Sequence, residues 1–269
     1  NMNDEIIAAI RTKKNSSMRL AINAVKNKDA DACVSAGNTG ALMALSKIIL
    51  KTIPGIDRPA ICGSLPTKFG QFHMLDLGAN VECDAQHLYQ FSIMGSALVQ
   101  SLQLNDKPVV GLMNIGSEEI KGNEKIKSAG QLMQKSNLNY AGFVEGDDIF
   151  SGKFDVIVTD GFVGNIALKS IEGVAKVISH FIKKEFTKNI FTKLSALISL
   201  PVMNSVKKKV DPRKYNGASL LGLQGVVVKS HGGADSYAFS QAIDTAYNEV
   251  KNELLDKIES LIQTELSNE

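Results

Sequence analysis

Six short polar clusters hold most of the residues able to handle an anion. They are Ser35-Ala36-Gly37-Asn38-Thr39-Gly40, Asp76-Leu77-Gly78-Ala79-Asn80, Asn114-Ile115-Gly116-Ser117-Glu118, Lys121-Gly122-Asn123, Thr159-Asp160-Gly161-Phe162-Val163-Gly164-Asn165 and Ser230-His231-Gly232-Gly233-Ala234-Asp235. Glycine lets the backbone turn tightly and approach a ligand closely. A helix that starts at such a loop offers free N–H groups and a positive dipole end. Asparagine supplies both a donor and an acceptor. One cluster of this kind is ordinary turn chemistry. Six of them, each after a strand-like run, point to a site for an anionic small molecule. None is a standard cofactor fingerprint. There is no GxGxxG with a following acidic residue on a second strand, no GxxxxGK with Ser or Thr next, and no GxSxG elbow.

The histidines and cysteines narrow the chemistry. His73, His87, His180 and His231 have no metal-ligand spacing among themselves or with Cys33, Cys62 and Cys83, so no metal is expected. His73 falls in a strand and reads as a core histidine, and His180 falls in a basic block and reads as exposed. His231 ends a strand beside two glycines, where a general acid or a phosphate donor is useful. Cys33 and Cys62 read as small apolar core residues. Cys83 follows a loop, but no neighbouring base activates it, which disfavours a cysteine nucleophile.

These clusters need strands and helices to position them. Apolar runs at 30–35, 59–65, 72–77, 108–114, 140–144, 154–159 and 225–229 read as seven strands. Helical patterns follow at 41–51, 84–102, 123–135, from about 165, and from 236 to about 266, and another begins at the first residues. Short apolar strands alternating with helices imply an α/β fold, a three-layer arrangement around a mostly parallel sheet. In such a sheet ligands bind beyond the carboxyl ends of the strands. The expectation is therefore that all the clusters share one sheet edge. In the closing helix, Phe239, Ile243, Ala246, Val250, Leu254, Ile258 and Leu261 recur at near-heptad spacing and read as a core face or a subunit contact.

The 269 residues carry 30 Lys+Arg against 28 Asp+Glu, a net +2, with 44% apolar residues. That balance excludes a disordered chain and gives no support for a nucleic-acid binder. The charge is uneven. Residues 176–214 hold ten Lys+Arg and two Asp+Glu, mixed with Val177, Ile178, Phe181, Ile182, Phe186, Ile190, Phe191, Leu194 and Leu197. Pro201 is expected to break this stretch into two helices or a hairpin. Basic and apolar helices together suit the surface of an anionic membrane or an acidic partner. The organisation is read as one α/β domain over 1–269 with a helical excursion at about 176–214. The sparse, odd cysteines fit a reducing compartment. The natural N-terminus is expected to be missing.

Asp31 to Met43, Arg58-Pro59-Ala60, Leu65-Pro66-Thr67, Asp76 to Asn80, Lys121-Gly122-Asn123 and Thr159 to Asn165 together resemble the motifs of bacterial phosphate acyltransferases of the PlsX type. The likeness runs from Lys13 to the His231-Gly232 loop. The family carries an upstream strand and a Gly-Gly-Asp loop that this sequence lacks. The resemblance implies a fold similar to phosphotransacetylases and to isocitrate and isopropylmalate dehydrogenases. It implies a homodimer that moves an acyl group from acyl carrier protein to inorganic phosphate, giving acyl phosphate for phospholipid synthesis. It also implies a cytoplasmic enzyme held peripherally at the inner membrane face. No cofactor is implied, since the phosphopantetheine arrives on the carrier.

Direct attack of phosphate on a thioester needs no enzyme nucleophile. The protein's tasks are orientation and oxyanion stabilisation. Placed on the family motifs, Ser35, Gly37, Asn38, Thr39 and Gly40 with Gly161, Gly164 and Asn165 form the phosphate cradle. Asn80, Asn114 or Asn123 donates to the oxyanion, Lys121 neutralises phosphate, and His231 protonates the leaving thiolate. Gly78 is counted with the phosphate-binding residues, and so are Asp76 and Asp160, which orient donors rather than touch the anion. A short-chain phosphotransacylase using coenzyme A and a non-catalytic membrane scaffold for lipid enzymes stand as alternatives.

Overall fold

The computed structural model describes residues 13–266; the helical pattern at the first residues lies outside them. In chain order the elements are α1 (Ser17–Lys26), β1 (Ala32–Ser35), α2 (Thr39–Leu50), β2 (Ala60–Pro66), β3 (Gln71–Leu75), α3 (Ala85–Ser101), β4 (Val109–Met113), α4 (Glu124–Lys135), β5 (Asn139–Val144) and β6 (Val156–Val158). They continue with α5 (Gly161–Phe186), α6 (Ile190–Lys209), a 3-10 turn (Pro212–Tyr215), β7 (Ala218–Leu221), β8 (Val226–Lys229), α7 (Ser236–Lys251) and α8 (Leu254–Leu266).

The eight strands form one sheet in the order β1-β8-β7-β2-β3-β6-β4-β5. A single row of partners crosses it through Val34, Val228, Ser219, Cys62, Leu75, Val158 and Leu112. The pairs β1–β8, β3–β6, β4–β6 and β4–β5 are parallel. The pairs β2–β3, β2–β7 and β7–β8 are antiparallel. Four parallel pairs against three keep the sheet predominantly parallel but mixed. Following the directions across, β1 and β8 point one way, while β3, β6, β4 and β5 point the other.

That reversal corrects the single-edge expectation. The loops after β1 and β8 leave one edge, and the loops after β3, β4 and β6 leave the opposite one. The strand responsible, β7, was not read from the sequence. Its four residues sit between Gly217 and Gly222, both at positive φ, and so short a run looks like part of a glycine-rich turn.

Helices cover both faces. On one side α1 and α2 pack Ile22, Leu42, Leu45 and Ile49 on Phe72, Met74, Ile157 and Val227. On the other, α3, α4 and α8 pack Phe91, Met94, Met133 and Ile258 on Leu75, Leu112, Val156 and Val158. Alternation along each strand separates the two sets. Each fully buried Leu, Ile or Phe contributes roughly 1.5–3 kcal/mol. Nearly all of α3 is buried. Gly95 lets it lie on β6, because a Cβ there would stand 2.5 Å from Val156 Cγ1.

Three helix boundaries differ from the sequence reading. The fourth helical pattern starts at Gly161 rather than near 165, because Asp160 accepts the Val163 N–H at 2.8 Å and caps it. Pro201 does not break the basic stretch; it lies inside α6, an exposed helix that tolerates the lost N–H at a cost of about 3 kcal/mol. The turn falls at Thr187–Asn189. There Thr187 Oγ1 donates to Lys183 O at 2.9 Å, and Asn189 forms a capping box with Thr192. The closing helix is two helices, parted at Glu253 with φ 54°. In α7 the core face is Ala238, Ala242 and Ala246, and Ile243 is about half exposed. The heptad reading holds for Leu254 and Ile258 in α8.

Two titratable side chains are buried beneath α7 and α3. Burial pushes the His73 imidazole down to about 4, against the pull of the Asp155 carboxylate. Burial pushes Glu249 up to about 8, with the Ser219 hydroxyl donating to it. His73 sets an acid limit. The unfolded chain takes a proton below pH 6.5 while the native chain refuses one until about pH 4, so stability is lost as pH falls through that window. Urea unfolding at pH 7 and pH 4.5 should show His73→Gln losing less stability than the parent, by about 2–3 kcal/mol.

Candidate active site in two sets of loops

The first set joins the loops after β1 and β8, which are neighbours in the sheet. The Ser230 N–H donates to Ser35 O at 2.9 Å. Ser35 Oγ accepts the Gly37 N–H at 3.2 Å, and Asn38 Oδ1 accepts the Ala41 N–H at 2.9 Å. Asn38 is therefore the N-cap of α2, and the amides of Thr39 and Gly40 precede the first intrahelical bond, as helix starts require. Lys229 pairs with Ser35 in the ladder, so its side chain projects on the face that α2 covers. Burial lowers its ammonium, which donates to Ser230 O.

His231 stands exposed in the same set. Its Nδ1 accepts the Gly233 N–H at 3.0 Å, and its own N–H donates to Asn216 Oδ1 at 2.8 Å. Those bonds leave Nε2 as the outward ring nitrogen. The acids nearby are partly offset. Arg213 contacts Asp211 at 2.7 Å and Asp235 at 2.9 Å, and Asp235 also caps α7. With Lys229 added, the formal charges in this set cancel.

The second set is organised by Asp76, which has no exposed surface. Its Oδ1 accepts from the N–H groups of Ile61 at 3.0 Å, Gly78 at 3.2 Å and Ala79 at 3.0 Å. Its Oδ2 accepts from Asn80 N at 2.7 Å and Asn80 Nδ2 at 2.9 Å. Burial pushes the Asp76 carboxyl above its ordinary range, and these donors pull it back. Helix α5 is pressed onto this loop. The Gly161 N–H donates to Asn80 O at 2.8 Å. A Cβ on Gly164 would stand 1.9 Å from Asp76 O, so only glycine allows the approach. Asn165 faces solvent, its Cβ 3.5 Å from where a Gly78 Cβ would be.

Several side chains assigned to chemistry are occupied by structure. Asn80 Nδ2 serves Asp76 and Pro59 O. Asn114 Nδ2 donates to Lys121 O at 3.2 Å, and Asn123 caps α4 through the Ile126 N–H at 3.0 Å. Asp160 caps α5. Lys121 is exposed over Gly116.

Beside Asn80 a crevice is lined by Arg58, Glu82, Asp84, His87 and Lys125, with Arg58 Nη1 donating to Glu82 O at 3.1 Å. With Asp76 and Asp160 close by, four acids outnumber the cations Arg58 and Lys125 here. The two sets share one apolar cluster, in which Leu42 and Met43 of α2 join Leu77, Ala79 and Leu168. Cys83 is buried and pushed up to about 12, which removes it as a nucleophile. Sequence reasoning missed Lys229, Arg58 and Lys125. The signal for Lys229 was one charge closing the apolar run Val226-Val227-Val228.

A family described as Fatty acid synthesis protein matches residues 1–257. A phosphate acyltransferase of Methylococcus capsulatus is 59% identical over 257 residues, which is 96% of this chain and 76% of the relative. The chain belongs to the phosphate acyltransferase family. Acyl transfer to phosphate is accordingly the chemistry of this chain.

The fold is that of solved phosphotransacetylases. One from Streptococcus pyogenes superimposes with TM-score 0.57 at 16% identity, over 95% of this chain and 76% of its own. A 4-hydroxythreonine-4-phosphate dehydrogenase from Klebsiella pneumoniae superimposes with TM-score 0.51 at 12% identity, over 87% and 68%.

The glycine contacts yield a direct contrast. Gly164→Ala should destabilise the protein by about 1–3 kcal/mol through the clash with Asp76. Gly146→Ala, with nothing within 4 Å, should change stability by less than about 0.5 kcal/mol. Denaturant unfolding of the two variants measures both.

Proposed function

We propose that this phosphate acyltransferase uses an acyl-acyl carrier protein thioester as donor and releases acyl phosphate and free carrier thiol. A phosphate oxygen forms a bond to the carbonyl carbon, the C–S bond breaks, and the departing sulfur takes a proton. The observation that carries the placement is the first loop set. There the free amides at the start of α2, the half-buried Lys229 and the exposed His231 lie together, and Arg213 with Lys229 offsets the carboxylates of Asp211 and Asp235. A dianion is favoured there over the second set, where Asp76, Asp160, Glu82 and Asp84 oppose it. Desolvated Lys229 gains its charge partner when phosphate binds. The proton that sulfur takes is the one the attacking hydrogen phosphate gives up, and His231 Nε2–H, oriented by the Gly233 bond to Nδ1, donates a hydrogen bond to the departing sulfur. The second set keeps a supporting role: Asp76 and Asn80 fix the start of α5.

The hairpin of α5 and α6 is the proposed surface for assembly and for lipid. Among the described residues no helix is long and apolar enough to cross a membrane. Yet α6 has no buried residue, and Phe181, Ile190, Phe191, Leu194 and Ile198 are all more than half exposed beside a run of lysines. That composition suits an anionic bilayer face, with part of the helix pair covered by a second copy in a homodimer. A long-chain acyl phosphate then passes to lipid rather than to water.

Palmitoyl-carrier thioester incubated with and without phosphate should give phosphate-dependent thiol release, with acyl phosphate found by mass. Lys229→Met should raise the KM for phosphate tenfold or more while changing that for carrier little. Thiol release independent of phosphate, or an unchanged phosphate KM, would overturn the reading. In a flotation assay with anionic vesicles, the double variant Phe191→Glu, Ile198→Glu should lose binding and keep its rate on soluble substrate.

A further inference from the structure

His231 is held from outside its own loop at one point. Its Nδ1 accepts the Gly233 N–H at 3.0 Å, its carbonyl accepts the Ala234 N–H at 3.1 Å, and the Ser230 hydroxyl donates to the same carbonyl at 3.4 Å. All three bonds stay within residues 230–234, where Gly232 and Gly233 leave the backbone wide conformational freedom. Among the described residues the remaining hydrogen bond of His231 goes to Asn216, whose Oδ1 accepts the His231 N–H at 2.8 Å.

Asn216 is suited to hold a loop still. It ends the 3-10 turn and is half-buried. Its Nδ2 donates to Ser230 Oγ at 2.9 Å and to Ala238 O at 2.6 Å. Both amide hydrogens and the amide oxygen are therefore committed. The partners fix which way the amide points, because the Ala238 carbonyl can only accept and the His231 N–H can only donate. One side chain thus joins three pieces of chain: the entry to β7, the loop after β8 and the first turn of α7. The next residue makes the junction possible. Gly217 has φ 121°, and a Cβ there would stand 2.8 Å from Thr245 Oγ1 and 2.9 Å from Ala242 Cα, so only glycine lets Asn216 come down against α7.

The far end of the loop is tied differently. Arg213 reaches Asp235 at 2.9 Å and Asp211 at 2.7 Å, with its guanidinium 5.2 Å from the centre of the Tyr237 ring. These groups are exposed or nearly so, and exposed ion pairs hold a loop weakly. The half-buried amide carries the constraint.

We infer that Asn216 is the positioning residue for His231 in acyl transfer to phosphate: it holds the imidazole where Nε2 meets the departing sulfur, and touches neither phosphate nor thioester itself. The inference rests on the reading of His231 given above. A hydrogen bond weakens steeply as its angle closes, so a donor beside two glycines must be placed by something outside its loop. Lys229 and the α2 amides are held by the strand ladder and the helix cap instead, so phosphate binding does not depend on Asn216.

Two measurements test this on the full chain. In backbone nitrogen-15 relaxation the His231 amide should have an order parameter of about 0.85, as rigid backbone does, and Asn216→Ala should bring it below about 0.6. With acyl-carrier thioester and phosphate, Asn216→Ala should lower kcat about tenfold or more and change the KM for phosphate less than about twofold. Introduced into His231→Ala, the same substitution should lower kcat less than about twofold further, since no imidazole is left to place. Should Asn216→Ala not fold, the parent alone decides, and an order parameter below about 0.6 there overturns the inference. An unchanged order parameter in Asn216→Ala, or a loss of kcat that recurs in full in the His231→Ala background, overturns it too. A His231→Ala protein with the parental kcat overturns the reading of His231, and the inference falls with it. A slow His231→Ala beside an Asn216→Ala of parental rate overturns the inference alone.

Discussion

A sheet can send its functional loops to one edge only if its strands agree in direction, and β7 and β2 prevent that here. They run against β8 and β3 in the middle of the sheet, so the strands on either side point oppositely. The loops after β1 and β8 emerge at one edge, and those after β3, β4 and β6 emerge at the other. What holds the two groups in relation is the shared apolar cluster beneath α2 and α5. A mixed sheet of this kind gives an enzyme two separately built walls. Each can be tuned for a different part of a reaction that brings together an inorganic ion and a large acyl donor.

The division of labour follows from charge and from hydrogen-bond accounting. A helix start leaves amides that something must accept. In this protein Asn38, Asn123, Asp160 and Asp235 do that work for four helices. Asp76 does it for a whole loop. A capping oxygen so engaged cannot also accept from a substrate without leaving a donor unpaired. Asn80, with both Nδ2 hydrogens committed, is removed as a simple oxyanion donor, whereas Asn114 keeps one Nδ2 hydrogen and Asn123, which caps through Oδ1, keeps its amide donors. The backbone amides at α2, Lys229 and the outer nitrogen of His231 also have spare capacity.

Much of this was legible in the residues. The α/β class followed from apolar runs alternating with helical patterns, and the polar clusters were placed where strands give way to helices because glycine and asparagine gather there, although Thr39–Gly40 and Gly161–Asn165 already belong to α2 and α5. Asp76 was read as a residue that orients donors, and in the structure its carboxylate accepts five N–H bonds from Ile61 and its own loop. The direction of a strand, by contrast, leaves no mark on its composition. Val226-Val227-Val228 would look the same running either way. The four residues of β7 are too few for a period to show. Pro201 misled for a related reason: a proline reports a local penalty, and an exposed helix stabilised by its neighbours can absorb it. The closing helix concealed its break because Asn252-Glu253 contains no glycine or proline, although Glu253 takes a left-handed conformation.

Helix α5 begins with two glycines seated on the Asp76 loop and runs unbroken for 26 residues to the turn at Thr187. At 1.5 Å per residue that is about 39 Å. No proline, bulge or flexible joint interrupts it, so its base and its tip cannot be oriented independently. Any surface on which the tip comes to rest dictates the tilt of the first turn as well. The rod converts an outside boundary condition into an angle at the loop, with nothing in between to absorb the strain.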